Sequence, residues 1–141
     1  MLVKDVMNAN VLTVKPDIAV KEAATIMYKN HIGSLIVLEK EKIIGIITEG
    51  DVLKTVARDL DLNVTLVSEV MTKDVISIEP NKTIEEAVNL MTEKKIKKLP
   101  VIKDGELMGI ITASDIIVVE PKLIENIANL ISIKIPGYRG G

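Results

Sequence analysis

Two short stretches decide how this chain is read: GIITEGD at residues 45–51 and GIITASD at residues 109–115. They lie 64 residues apart, and sliding the sequence over itself at that offset extends the match without a gap. VKDVM (3–7) falls on VSEVM (67–71), Pro16 on Pro80, and EAATIM (22–27) on EAVNLM (86–91). Over residues 3–53, sixteen of fifty-one positions are identical, and most of the others keep their apolar or polar character. Chance does not produce this, so the chain is two copies of one unit. Two copies are fewer than an open solenoid needs, which predicts a closed pair with pseudo-two-fold symmetry.

Each copy carries the same order of signals. LTV (12–14) or ISI (76–78) is a short extended segment running into Pro16 or Pro80, whose ring disfavours helix at the residue before it. Apolar residues then recur at Val20, Ala23, Ala24 and Met27, and at Ile84, Ala87, Val88 and Met91, the spacing of one buried helix face. LIVL (35–38) and IIGII (43–47) follow around EKEK, while LPVI (99–102) and LMGII (107–111) flank KDGE, where Asp104-Gly105 is a hairpin signal. These runs are continuously apolar, which predicts strands covered on both faces. A second helix starts near Thr48 and Thr112.

The fold class is therefore α/β in the mixed, α+β sense, with two β-α-β-β-α repeats packed into one module. The expected boundaries are 1–60 for the first domain, 61–66 for a connector and 67–120 for the second domain. Residues 121–141 are expected to form a C-terminal helix, from the amphipathic stretch KLIENIANLI, and a flexible tail. Ile36 stands where the second copy has Pro100, and its N–H can join a ladder that Pro100 cannot, so the two copies should differ at that strand edge.

Composition removes several functions. Of 141 residues, 48% are hydrophobic, including 22 Ile and 16 Val against two Tyr and no Phe or Trp, so the core is aliphatic. Without Cys there is no thiolate nucleophile, disulfide framework or Cys-ligated metal, and the single His31 cannot supply a multi-His zinc site. The formal net charge is −2, which disfavours a basic nucleic-acid binder, and the shortage of rings disfavours stacking on single strands. Uncharged stretches are short, whereas a membrane span needs about 20 apolar residues. Lys4 and Asp5 stand where a signal peptide would be apolar, so a cytoplasmic protein is expected. The absence of Cys and Gln beside abundant Ile, Lys and Glu points weakly to a thermophile.

Thr48-x-x-Asp51 and Thr112-x-x-Asp115 carry the chemistry, and two readings stand side by side. A Thr ahead of a helix with an acid three residues later is a capping box. The same place also suits a ligand, because a helix N-terminus behind a hydroxyl accepts phosphate and a carboxylate accepts hydrogen bonds from ribose.

The DVM-type openings, the Pro before the first helix, the LPV strand and the doubled GIIT-x-x-D together resemble a tandem pair of CBS domains, the cystathionine-β-synthase-type or Bateman module. The resemblance covers residues 1 to about 120. It implies a regulatory ligand sensor with two clefts for adenosine-containing ligands, AMP, ADP or ATP first and an S-adenosylmethionine-type compound as the alternative. It also implies a homodimer associated through helices and an adenine nucleotide as regulatory ligand rather than a catalytic cofactor; such modules are usually attached to an enzyme, channel or transporter, whereas this chain is expected to be a stand-alone module with a separate effector protein as partner.

Carried over residue by residue, the resemblance assigns Thr48 and Asp51 to one cleft with Ser77, Ile96, Lys97 and Lys98. Thr112 and Asp115 go to the other with Thr13, Ile32, Gly33 and Ser34. Thr48 or Thr112 would face phosphate and Asp51 or Asp115 ribose, with Lys97 and Lys98 where relatives place basic residues against phosphate. Lys94 and Lys95 read equally well as a solvated helix end, and His31 as a helix C-terminal surface residue. An enzyme acting on nucleotides is disfavoured, since Thr and Asp alone provide no evident base for an attacking Thr. A nucleic-acid adaptor using KKIKK is disfavoured by the acidic balance of both copies.

Overall fold

The computed structural model describes residues 1–123. The expected C-terminal helix and tail lie outside the described residues, apart from a 3-10 turn at Pro121–Leu123. In chain order the first half is α1 (Val3–Val6), β1 (Thr13–Val14), α2 (Val20–Asn30), β2 (Ser34–Glu39), β3 (Lys42–Thr48) and α3 (Glu49–Ala57). The second half is α4 (Val67–Val70), α5 (Ile84–Lys94), β4 (Lys98–Lys103), β5 (Glu106–Thr112) and α6 (Ala113–Val119). The expected strand–helix–strand–strand–helix order is present in the first copy, whereas in the second the opening strand is reduced to a bridge at Ile78; each copy is preceded by a one-turn helix, α1 or α4, that periodicity over four residues does not reveal.

The chain divides into two compact units that are out of phase with the repeat. Residues 11–75 form a continuous inner unit, and residues 1–10 join the chain from residue 76 onward as a split unit. Each opening segment thus completes the unit whose body comes from the other copy. In the split unit the Val3 amide donates to the Lys82 carbonyl at 2.8 Å, and the Asn8 and Ile110 backbones bond in both directions at 2.8 and 3.0 Å. In the inner unit Val67 donates to Ile18 at 2.9 Å, and Thr72 and Ile46 pair in the same reciprocal way. Val3 and Val67 are fully buried, each in the aliphatic core of the unit it joins.

Those cores follow the sequence pattern. Val20, Ala23 and Met27 of α2 are buried, as are Ile84, Ala87, Val88 and Met91 of α5. Consecutive burial of Leu35, Ile36 and Val37, and of Leu99, Pro100 and Val101, shows β2 and β4 covered on both faces. In β3 and β5, Gly45 and Ile47, or Gly109 and Ile111, are buried while Ile46 and Ile110 between them stay half-exposed, so the later strand of each hairpin alternates instead. Glycine is required at 45 and 109 because the exchanged segment runs against the strand there, with Met71 over Gly45 and Met7 over Gly109.

Both hairpins close in two-residue loops with positive φ at each position: Lys40 (52°) and Glu41 (66°), Asp104 (52°) and Gly105 (80°). That is the type I′ geometry expected from Asp104-Gly105, and Lys40-Glu41 adopts it without either favoured residue. The edge difference at Ile36 and Pro100 also appears. β1 pairs in parallel with β2 through Thr13–Ile36 and Val14–Val37. The split unit keeps only the Ile78–Val101 bridge, because Pro100 has no N–H to hold the preceding pair.

Helix ends are satisfied differently in the two units. In α5, the Thr83 hydroxyl accepts from the Glu86 amide at 3.1 Å. Ala19 gives α2 no side-chain cap, and instead the Val20 and Lys21 amides donate to the Thr65 and Leu62 carbonyls at 2.8 and 3.0 Å.

Candidate ligand-binding site

The end of β3 and the first turn of α3 hold Thr48 and Asp51 in a closed capping box. The Thr48 hydroxyl accepts from the Asp51 amide at 3.2 Å, while the Thr48 amide donates to Asp51 Oδ2 at 2.9 Å. The hydroxyl also donates to the same Oδ2 at 3.1 Å. Asp51 is 8% exposed, so this carboxylate is held by hydrogen bonds where water hardly reaches it. The arrangement repeats at the start of α6, with Asp115 N to Thr112 Oγ1 at 3.1 Å and Thr112 N to Asp115 Oδ2 at 3.3 Å. Asp115 is half-buried.

The hairpins decide what lies beside each box. In the inner unit Ser34 pairs with Thr48, and the Glu49 amide donates to the Gly33 carbonyl at 3.1 Å. In the split unit Lys98 pairs with Thr112, and the Ala113 amide donates to the Lys97 carbonyl at 2.9 Å. Within a unit, then, Gly33 and Ser34 neighbour Thr48 and Asp51, while Lys97 and Lys98 neighbour Thr112 and Asp115. The antiparallel register sets these pairs, shifted by one residue between Val37 and Leu38 and between Val101 and Ile102.

Ile32 and Ile96 follow the residues that stop α2 and α5, His31 and Lys95, both left-handed with φ of 53° and 56°. The Ile32 and Ile96 amides reach back to the Met27 and Met91 carbonyls at 3.1 and 3.0 Å, the six-to-one bond of a Schellman end. His31 and Lys95 are therefore terminators of their helices, and both are exposed. Thr13 and Ser77 are exposed on the opening strands, Thr13 paired with Ile36 and Ser77 next to the Ile78 bridge.

An open groove of about 480 Å3 also lies along the inner unit, lined by Ala24, Met27, Tyr28, His31, Ile32, Glu49 and Val52. Among the described residues no helix is long and apolar enough to cross a membrane. No group of three or more His, Cys, Asp or Glu able to hold a metal ion occurs among them either.

The sequence profile of the CBS domain matches this chain twice, at residues 3–58 and 67–121. A CBS domain-containing protein of Bacillus subtilis is 37% identical over 117 residues, covering 82% of this chain and 83% of that protein. The inosine-5′-monophosphate dehydrogenase of Korarchaeum cryptofilum is 40% identical over 108 residues, 76% of this chain and 22% of the enzyme. Among solved structures, a CBS domain pair in complex with 5′-methylthioadenosine and S-adenosyl-L-methionine superposes with a TM-score of 0.79 at 29% identity, covering 86% of this chain and 97% of that one.

Proposed function

This chain belongs to the CBS domain family as a tandem pair, and on that premise we propose that it is a regulatory sensor of an adenosine-containing ligand. One observation carries the reading: both units present the same Thr-x-x-Asp box at a strand–helix junction, each with Oδ2 of the acid engaged by the Thr amide. That leaves Oδ1 of Asp51 and Asp115 to accept from ribose hydroxyls, and the box holds each carboxylate in place before any ligand arrives. The solved relative that carries 5′-methylthioadenosine and S-adenosyl-L-methionine supports the adenosyl group as the common feature. AMP, ADP and ATP share it, and an S-adenosylmethionine-type compound is the second reading.

A sensor must bind its ligand unequally in two conformations, and the helix faces are the natural output. Tyr28 (82% exposed), Leu53 (69%) and Val56 (51%) on α2 and α3 are large apolar groups with no cover in the inner unit. We assign them to self-association, as a homodimer, with an effector protein as the onward partner. The small share of the dehydrogenase that matches is consistent with a regulatory segment, not with the catalytic part of such an enzyme.

The test is mass spectrometry of small molecules released from the freshly purified protein, followed by calorimetry with AMP, ATP, 5′-methylthioadenosine and S-adenosylmethionine. Binding of at least one, abolished in the Asp51→Ala, Asp115→Ala double variant, supports the sensor. No binding of any of the four by the wild type rejects it. Sedimentation of the wild type against Leu53→Lys tests the homodimer.

A further inference from the structure

Resting on the homodimer assignment, we propose that its contact joins unlike units: the outward row of α2 in the inner unit docks on the outward row of α5 in the split unit of a second molecule of this chain. Three repeat positions reverse charge. Lys15, Lys21 and Lys29 stand where the second repeat has Glu79, Glu85 and Glu93. All six are exposed, and among the described residues none of these side chains has an ion-pair partner. No acid of residues 15–30 meets a Lys at its repeat position, so the reversal runs one way. Residues 15–30 hold three Lys and two acids, residues 79–94 two Lys and four Glu.

Helical geometry lines these charges up. With Val20, Ala23 and Met27 buried, Lys21, Thr25 and Lys29 form a row at four-residue spacing on the opposite side of α2. Glu85, Asn89 and Glu93 form the same row on α5, away from buried Ile84, Ala87, Val88 and Met91. An open groove of about 430 Å3 in the split unit is lined by Glu79, Glu86 and Glu93 with Lys82, so carboxylates dominate what a docking helix meets there. Each unit also exposes apolar groups on its helices, Tyr28 and Leu53 on α2 and α3 and Val118 on α6. Two inner units face to face would set Lys against Lys, and two split units Glu against Glu. The unlike pairing covers apolar groups and opposes charges of opposite sign. A dimer that makes this contact in both directions forms every pair twice and is closed.

The experiment is sedimentation equilibrium of the full chain at low and high salt. It compares wild type, Lys21→Glu with Lys29→Glu, Glu85→Lys with Glu93→Lys, and a chain carrying all four changes. Lys and Glu have similar helix propensity, and circular dichroism shows that each variant folds. Either double variant should weaken the dimer about tenfold, since each reverses charges in both contacts. The fourfold chain should return to wild-type affinity, and so should an equimolar mixture of the two double variants. Raising salt should weaken the wild-type dimer. A wild-type dimer that salt strengthens, double variants as tight as wild type, or a fourfold chain no tighter than the doubles overturns the unlike pairing while the homodimer stands. A wild type that stays monomeric removes the homodimer and this inference with it.

Discussion

The carbonyl oxygen of Asn8 lies 2.7 Å from the point where a β-carbon would stand on Gly109, and the sulfur of Met7 lies 3.0 Å from it. A residue from the very start of the chain is thus packed against a strand more than a hundred residues later, closely enough to forbid a methyl group. At Gly45 the facing atoms are the Met71 sulfur at 2.5 Å and the Thr72 oxygen at 3.0 Å.

Gly109→Ala should destabilise the protein by about 2 kcal/mol, since the obstructing atom is backbone and cannot rotate away. Gly45→Ala should cost less, because a flexible thioether gives way more easily, and Met71→Ala placed in the Gly45→Ala background should recover part of that loss. Urea unfolding of the four proteins checks the order. Equal losses at both glycines would contradict it.

Removing residues 1–10 should loosen the split unit specifically. The deletion strips Val3 from a buried cluster and takes away both Asn8–Ile110 hydrogen bonds. Amide exchange should accelerate across Glu106–Thr112 while Lys42–Thr48 keeps its protection, a contrast that peptide-resolved exchange measures directly.

Lys40-Glu41 holds two non-glycine residues at positive φ, where Asp104-Gly105 does the same work with favoured ones. Replacing the pair by Asn-Gly should raise stability by about 1 kcal/mol without altering the strands. Thermal unfolding followed by circular dichroism gives the shift, and a fall in the midpoint would show that the loop is not strained.

Thr48→Val should cost about 1–2 kcal/mol, since it removes the cap and leaves the buried Asp51 carboxylate short of a hydroxyl donor. Thr48→Ser should be nearly neutral. Thr112→Val should cost less than Thr48→Val, because Asp115 is half-buried and water can replace the lost contacts. Chemical denaturation of the three variants ranks them.

The helices and hairpins were legible because their signals are local. Val20 to Met27 and Ile84 to Met91 repeat at helical spacing, Asp104-Gly105 specifies its own turn, and Pro100 announces a missing donor. The exchange of opening segments was not, because a gapless repeat associates each opening with its own copy, and pairing partners at long range leave no periodicity. Its trace was nonetheless present: Met7 with Met71 and Gly45 with Gly109 are identical between the copies, as a tight methionine–glycine contact made twice requires. Counting back from the two-residue loop alone would put Lys98 opposite Ile111; a register shift between Val101 and Ile102 moves it to Thr112, and no local signal in the sequence announces that extra residue.

The discontinuity of the split unit also sets an order of assembly during synthesis. Everything the inner unit contains lies between residues 11 and 75, so it can close while the ribosome is still making the rest. Residues 1–10 are translated before the inner unit, yet their partners Pro80, Lys82 and Ile110 emerge after it, so a segment made early is among the last to find its place. Until then Val3 and Met7 travel uncovered, and a nascent chain stalled before residue 110 would expose the same apolar residues that the finished molecule hides.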